Sequence, residues 1–284
     1  MNFDEIRRRT IVALFSDDAL FGELVLKGGN AISLIYGFGN RASIDLDFSI
    51  ETDFKDVQDT ARRIFKALEG KFGEVGFTVF DTKFGARPER VRVDAAPRWG
   101  GYQFEFKLIA KSKEGTLGGN LEAIRRNALV VGPEQLRRFT VDLSKYEFCG
   151  GKVEKELDNY TICVYTPEMI VIEKLRAICQ QMPAYPLNPH KTARARDFYD
   201  IHLLVTVEQI DLTTHENLTL LRDIFQAKEV PLDLLYGIRE DHERHRIDWP
   251  SVRDSVSPRL NEFDYYLDFV SGQVARILEA LRVE

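Results

Sequence analysis

"KGGNAISLIYGFGNRASIDLDFSI", Lys27 to Ile50, governs the reading of the whole chain. In its second half Ile44, Leu46, Phe48 and Ile50 would point to one side of a strand and Asp45, Asp47 and Ser49 to the other, because side chains alternate along a strand. Two like charges then share one face. At a rise of ~3.3 Å per residue their Cα atoms lie roughly 6.5 Å apart, so both carboxylates can converge on a cation. In the first half a strand ends at Lys27, Gly28 and Gly29 make a turn without side chains, and a helix is expected from about Asn30. Backbone N–H groups at that turn would face an anionic phosphate. Taken singly, each half has a plainer reading, a closed turn and a solvated sheet face. Taken together they point to two carboxylates holding Mg²⁺ against a triphosphate.

The whole-chain numbers set the context. At 284 residues the chain is long enough for two ordinary domains, each with its own core. With 44% hydrophobic and 30% charged residues it reads as a soluble globular protein, and no apolar run approaches the ~20 residues of a membrane span. The opening "MNFDEIRRRT" has no following apolar stretch, so no secretory signal is expected and the cytoplasm is the default. Cys149, Cys163 and Cys179 stand singly, which fits buried thiols better than a disulfide framework or a zinc site. A formal charge of -6 argues against a generally basic nucleic-acid coat, though local patches can still bind phosphate.

The pattern changes near residue 165. Before it, Phe3, Ile6, Leu14 and Phe15 suggest a helix, "ELVLKGG" a strand, "NAISLIYG" a short helix, and Ala61, Ile64, Phe65 and Leu68 a second long helix. "GFTVFD", "RVRVDA" and "GYQFEFKLIA" read as further strands. After it, Thr166 can cap a helix with Pro167 in its first turn. The loop "MPAYPLNPHK" breaks that helix, and "TARARDFYDIHLLV" and "YYLDFVSGQVARILEAL" continue as helices.

Four ordered motifs, "KGGNAI", "RASIDLDF", "EKLRAI" and "RARDFYDI", together resemble the AbiEii/AbiGii toxin family of nucleotidyltransferases, which includes MenT-like toxins of type IV toxin–antitoxin systems. The resemblance spans roughly Leu24 to Leu204. It implies an α/β fold: a polymerase-beta-like nucleotidyltransferase mixed sheet with helices, followed by a helical C-terminal domain that completes the active site. It also implies two-metal chemistry, a nucleoside triphosphate substrate and a separately encoded antitoxin. This sequence departs from the pattern at Asn30, where many relatives carry Ser or Thr, and at "FEFKL", where Glu105 precedes Lys107 whereas better-known members are expected to have the lysine before the acid.

The later motifs have a physical reading of their own. Gln103, Glu105 and Lys107 alternate with Tyr102, Phe104, Phe106 and Leu108, so Glu105 and Lys107 share a strand face. Glu105 is the expected third carboxylate, with Asp94 competing and a cross-strand ion pair as the plain alternative. Lys174 interrupts an apolar stripe formed by Ile170 and Ile178, and Asp197 lies in a helical row with Ala193, Ile201 and Leu204. A snorkelling lysine, or a Lys174–Asp197 salt bridge, competes with a catalytic reading of the two. The histidines of "DHERHR" read as part of a solvated charged helix rather than a metal site. Arg125, Arg126, Arg137, Arg138, Lys191 and Arg194 are candidate RNA contacts.

The expectation is therefore a nucleotidyltransferase-like domain over 1–165 and a helical domain over 166–284. Asp45, Asp47 and Glu105 would hold Mg²⁺. Gly28, Gly29, Asn30, Arg41, Ser43 and Lys107 would bind the nucleotide. Lys174 would face the triphosphate, and Asp197 would orient or deprotonate the acceptor hydroxyl. The resemblance suggests an RNA acceptor such as a tRNA 3' end. The alternative is a catalytically silent nucleotide-binding module acting through a protein partner.

Overall fold

The computed structural model describes residues 1–38, 45–89, 100–131, 135–188, 191–256 and 259–283. They fall into two units: the first takes the described residues of 1–35 and 45–164, the second those of 36–38 and 165–283.

The first unit is built on a seven-stranded mixed sheet. Its strands are β1 (Val25–Lys27), β2 (Leu46–Ser49), β3 (Phe77–Arg87), β4 (Gly101–Ala110), β5 (Phe139–Ser144), β6 (Val153–Leu157) and β7 (Tyr160–Val164). They lie in the order β3-β4-β5-β2-β1-β7-β6. β2 runs antiparallel to β1 and parallel to β5, and β1 runs parallel to β7. Leu46, Phe48, Phe104, Phe106, Val141 and Leu143 are buried on one face. The helices Phe3–Phe15 and Val57–Gly73 cover that face, with Phe15 packed on Phe48, Phe65 on Phe104 and Phe72 on Phe106. Alternation thereby leaves the opposite face polar. Asp158 and Asn159, both at positive φ, join β6 to β7 in the two-residue loop that such residues favour.

The second unit consists of helices, among them Pro167–Cys179, Ala195–Val207, His215–Ala227, His242–Arg246, Trp249–Val256 and Phe263–Val283. Thr166 caps the first, its hydroxyl accepting from the Met169 N–H at 3.3 Å, and Pro167 opens it. No described helix is long and apolar enough to cross a membrane.

Most expected elements of both units are present, with four differences. The helix expected at "NAISLIYG" is a three-residue turn, Gly28–Asn30, running into a π-helical turn, Ala31–Ile35, so it offers little helix dipole. The Asp strand begins at Leu46, leaving Asp45 just ahead of the ladder. β5, β6 and β7 extend the sheet beyond the strands expected from the sequence. The segment "RVRVDA" lies outside the described residues.

Candidate active site

The register of the sheet lines up the polar residues. Lys27 pairs with Asp47 across β1 and β2, Asp47 with Asp142 across β2 and β5, and Asp142 with Gln103 across β5 and β4. Directly paired residues present their side chains to the same face, with strands about 4.8 Å apart. Asp47 and Asp142 are thus adjacent like charges, an arrangement that costs stability unless something positive joins them. Gln103 Nε2 donates to Asp142 Oδ1 at 2.8 Å, and Arg87 Nη1 lies 3.8 Å from the same oxygen. On the other flank, buried Lys27 pairs with buried Glu147, Nζ to Oε1 at 3.2 Å.

Gly28 packs against the centre of this row. Its φ is +68°, a conformation L side chains rarely adopt, and a Cβ built on it would lie 3.0 Å from Asp47 Oδ2. Only glycine brings the backbone this close to that carboxylate. Asn30 behaves differently from the expectation. It is 0% exposed, its Oδ1 accepts from Arg7 Nη1 at 2.8 Å, and its Nδ2 donates to the main-chain carbonyl of Asp45. Both polar atoms of the amide thus have partners inside the fold.

The other expected ligands are distributed as follows. Glu105 sits one alternation along β4 from Gln103, opposite Thr140, and pairs with Arg138 at 3.2 Å. The cross-strand ion pair, weighed as the plain alternative, is therefore what Glu105 makes. Asp142 is the carboxylate directly beside Asp47. Lys107 pairs with Asp81 at 2.9 Å, and Arg125 grips the same carboxylate. Those two cations, Arg125 first, hold the Asp81 carboxyl down at about 2. Arg41, Ser43 and Asp94 lie outside the described residues. Among the described residues, no three His, Cys, Asp or Glu side chains converge to hold a metal by themselves.

A second charged cluster lies within the helical unit. Lys174 Nζ contacts Asp197 Oδ1 at 2.7 Å and Asp200 Oδ2 at 2.8 Å, and all three residues are buried. Arg194 Nη1 adds a contact to Asp197 Oδ2 at 3.5 Å. Burial pulls the lysine's pKa down, but the charges of Asp197 and Asp200 outweigh it and hold the pKa above the ordinary value. Lys174 therefore does not snorkel but is held between Asp197 and Asp200. His245, read from sequence as solvated, is 0% exposed. Its Nδ1 accepts the Arg194 N–H at 3.0 Å at the start of the Ala195–Val207 helix, and burial pushes its pKa down to about 4. Of the expected RNA contacts, Arg137 donates to the Arg126 and Ala128 carbonyls and Lys191 to those of Gln180 and Tyr185.

Asp142 and Arg7 are the functional candidates that the sequence reading missed. The signal for Asp142 was present: Phe139, Val141 and Leu143 alternate with Thr140, Asp142 and Ser144. Arg7 gave none, because "EIRRRT" reads as an ordinary solvated face.

The first unit is thus a mixed sheet that sets a glycine turn against paired strand aspartates, and helices follow it in the chain. Residues 9–269 match the model of the family described as nucleotidyl transferase AbiEii toxin, type IV toxin–antitoxin system, and the chain belongs to that family. Such a system includes an antitoxin. Among solved structures the chain is similar to JHP933 from Helicobacter pylori, at 17% identity over 99% of this chain and 92% of that one, with a TM-score of 0.49. It is also similar to an antigenic nucleotidyltransferase-like protein from Paracoccidioides brasiliensis, at 16% identity over 84% and 94% of the two chains, with a TM-score of 0.36. None of the curated proteins compared with the chain matches it.

Proposed function

We propose that the protein transfers a nucleoside monophosphate from a nucleoside triphosphate to a hydroxyl of an RNA acceptor, the 3' end of a tRNA, with Asp45 and Asp47 holding Mg²⁺. The observation that carries this reading is the close packing of Gly28 against Asp47, where a side chain at position 28 would meet the carboxylate. The donor set fits the ion. Mg²⁺ usually takes one or two protein carboxylates and completes its shell with substrate phosphates and water, so two aspartates suffice. Bound there, it would offset the charge of the triphosphate and of the pyrophosphate released.

The chain's own residues do the rest. Backbone N–H groups of Gly28 and Gly29 meet the phosphates, with Arg41 and Ser43 as further contacts. Asp142, beside Asp47 and oriented by Gln103, accepts the proton of the attacking hydroxyl; in this role it replaces Asp197. Glu105 and Lys107, each in its own ion pair, border the site rather than touch the nucleotide. Lys174, Asp197 and Asp200 serve as a rigid cluster joining the helices of the two later motifs.

The test is incubation of the purified protein with each α-labelled nucleoside triphosphate, Mg²⁺ and total tRNA. Label on the tRNA 3' end together with pyrophosphate release is expected. Pyrophosphate release without labelled RNA would move the acceptor to another class, and neither product with any nucleotide would remove the reading.

A further inference from the structure

A hydrogen-bonded chain runs from the first helix to the backbone of Asp45. Arg7 lies on the Phe3–Phe15 helix, 4% exposed, with Asp4 on one side of its guanidinium and Asn30 Oδ1 accepting from Nη1 at 2.8 Å. The Asn30 amide then donates to the Asp45 carbonyl. The ladder of β2 begins at Leu46, so its pairing does not fix Asp45, and contacts such as this one must do so. Burying an arginine is costly unless its donors are met, and here one of them is spent on an amide that itself grips a loop.

The chemistry also accounts for asparagine at this position. A serine or threonine hydroxyl has one proton and a short reach. An amide offers an acceptor to the guanidinium and a separate donor to the carbonyl, so one side chain bridges helix and loop. We infer that Arg7 and Asn30 are positioning residues for the transfer reaction, holding the Asp45 carboxylate in place for the cation, and that Asn30 does not contact the nucleotide through its side chain. The inference rests on the reading of Asp45 as a cation ligand. Loss of a partner that orients a metal ligand typically costs 10- to 100-fold in affinity or activity, far less than loss of the ligand itself.

The experiment compares wild type with Asn30→Asp, Arg7→Met, Arg7→Lys, the Asn30→Asp/Arg7→Met double variant and Asp45→Asn. Each is measured for kcat, nucleotide KM, the Mg²⁺ concentration of half-maximal activity and Tm. Asn30→Asp keeps the size and an acceptor for Arg7 but removes the donor to Asp45. It should lower kcat about 10- to 100-fold and raise the Mg²⁺ requirement, with KM within about twofold. Arg7→Met should reproduce that pattern, the double variant should be no worse than the singles, and Arg7→Lys should recover part of the loss. If Arg7→Met does not fold, Arg7→Lys and Asn30→Asp carry the comparison. A raised KM with unchanged kcat in Asn30→Asp would make Asn30 a direct phosphate contact and overturn the inference. Wild-type kinetics in Asn30→Asp and Arg7→Lys, with Asp45→Asn inactive, would overturn the inference alone. An active Asp45→Asn would overturn the underlying reading instead.

Discussion

The molecule handles its buried and half-buried acids in two opposite ways. On the sheet, Asp47 is paired across the strands with Asp142 on one side and with Lys27 on the other, and Lys27 also contacts Glu147. In the helical unit, Asp197 and Asp200 enclose Lys174, and each carboxylate has a cation within 3 Å. The first sets two carboxylates side by side and, under the proposed function, gains from an added cation. The second is already balanced, and removing any member leaves a charge without its counterpart. Under the proposed function, this difference separates a place where a cation binds from a place that holds helices together, even though both carry motifs of the same family.

The sharpest break of this contrast is at the sheet. Asp47→Asn keeps the size of the side chain but binds a hard cation much less well. A loss of several kcal/mol of charge stabilisation corresponds to about 10³-fold in turnover. Because the amide keeps the size of the carboxylate, the apo variant should melt close to the wild-type temperature. A lower Tm together with near-normal turnover would reverse the roles assigned to the two regions.

In the helical unit the expected effect is on stability. Lys174→Met leaves two buried carboxylates facing each other and should cost about 3–5 kcal/mol, read by urea unfolding. Adding Asp197→Asn and Asp200→Asn should recover part of it, since no charge is then stranded. Additive losses would mean that the three residues do not act as one cluster.

A smaller effect comes from His245. Its ordinary pKa of about 6.5 falls to about 4 in the folded chain, so between those values the unfolded chain binds the proton and the folded chain does not. Stability from this group is full above pH 6.5 and is lost as pH falls toward 4, a change on the order of 3 kcal/mol. His245→Gln should flatten that slope in unfolding curves measured across the window. Smaller still, Thr166→Ala removes the hydroxyl that accepts from Met169 and should cost about 1 kcal/mol with turnover unchanged.

The parts of this account legible in the sequence are those written in local pattern. The glycine pair, the Asp-Leu-Asp alternation and the Thr166-Pro167 helix start are all short-range signals. Asp142 was hidden because its meaning depends on which strand pairs with β2, a tertiary fact joining residues far apart in the chain. Arg7 and His245 were hidden for a related reason. Charged residues in polar stretches read as solvated, and only the packing of other elements over them shows that they are buried. The Lys174–Asp197 pair was visible as an alternative, since both interrupt apolar stripes, but sequence could not show that Asp200 closes the cluster from the other side.

The central claim is that Asp45 and Asp47 form the cation-dependent nucleotide site. It is tested most directly by melting curves with a non-hydrolysable nucleoside triphosphate, with and without Mg²⁺. Wild type should gain about 2.7 kcal/mol at a ligand concentration 100 times Kd, and only with both present, while Asp45→Asn and Asp47→Asn should show none of the Mg²⁺-dependent gain. An equal Mg²⁺-dependent shift in wild type and in both variants would contradict the account.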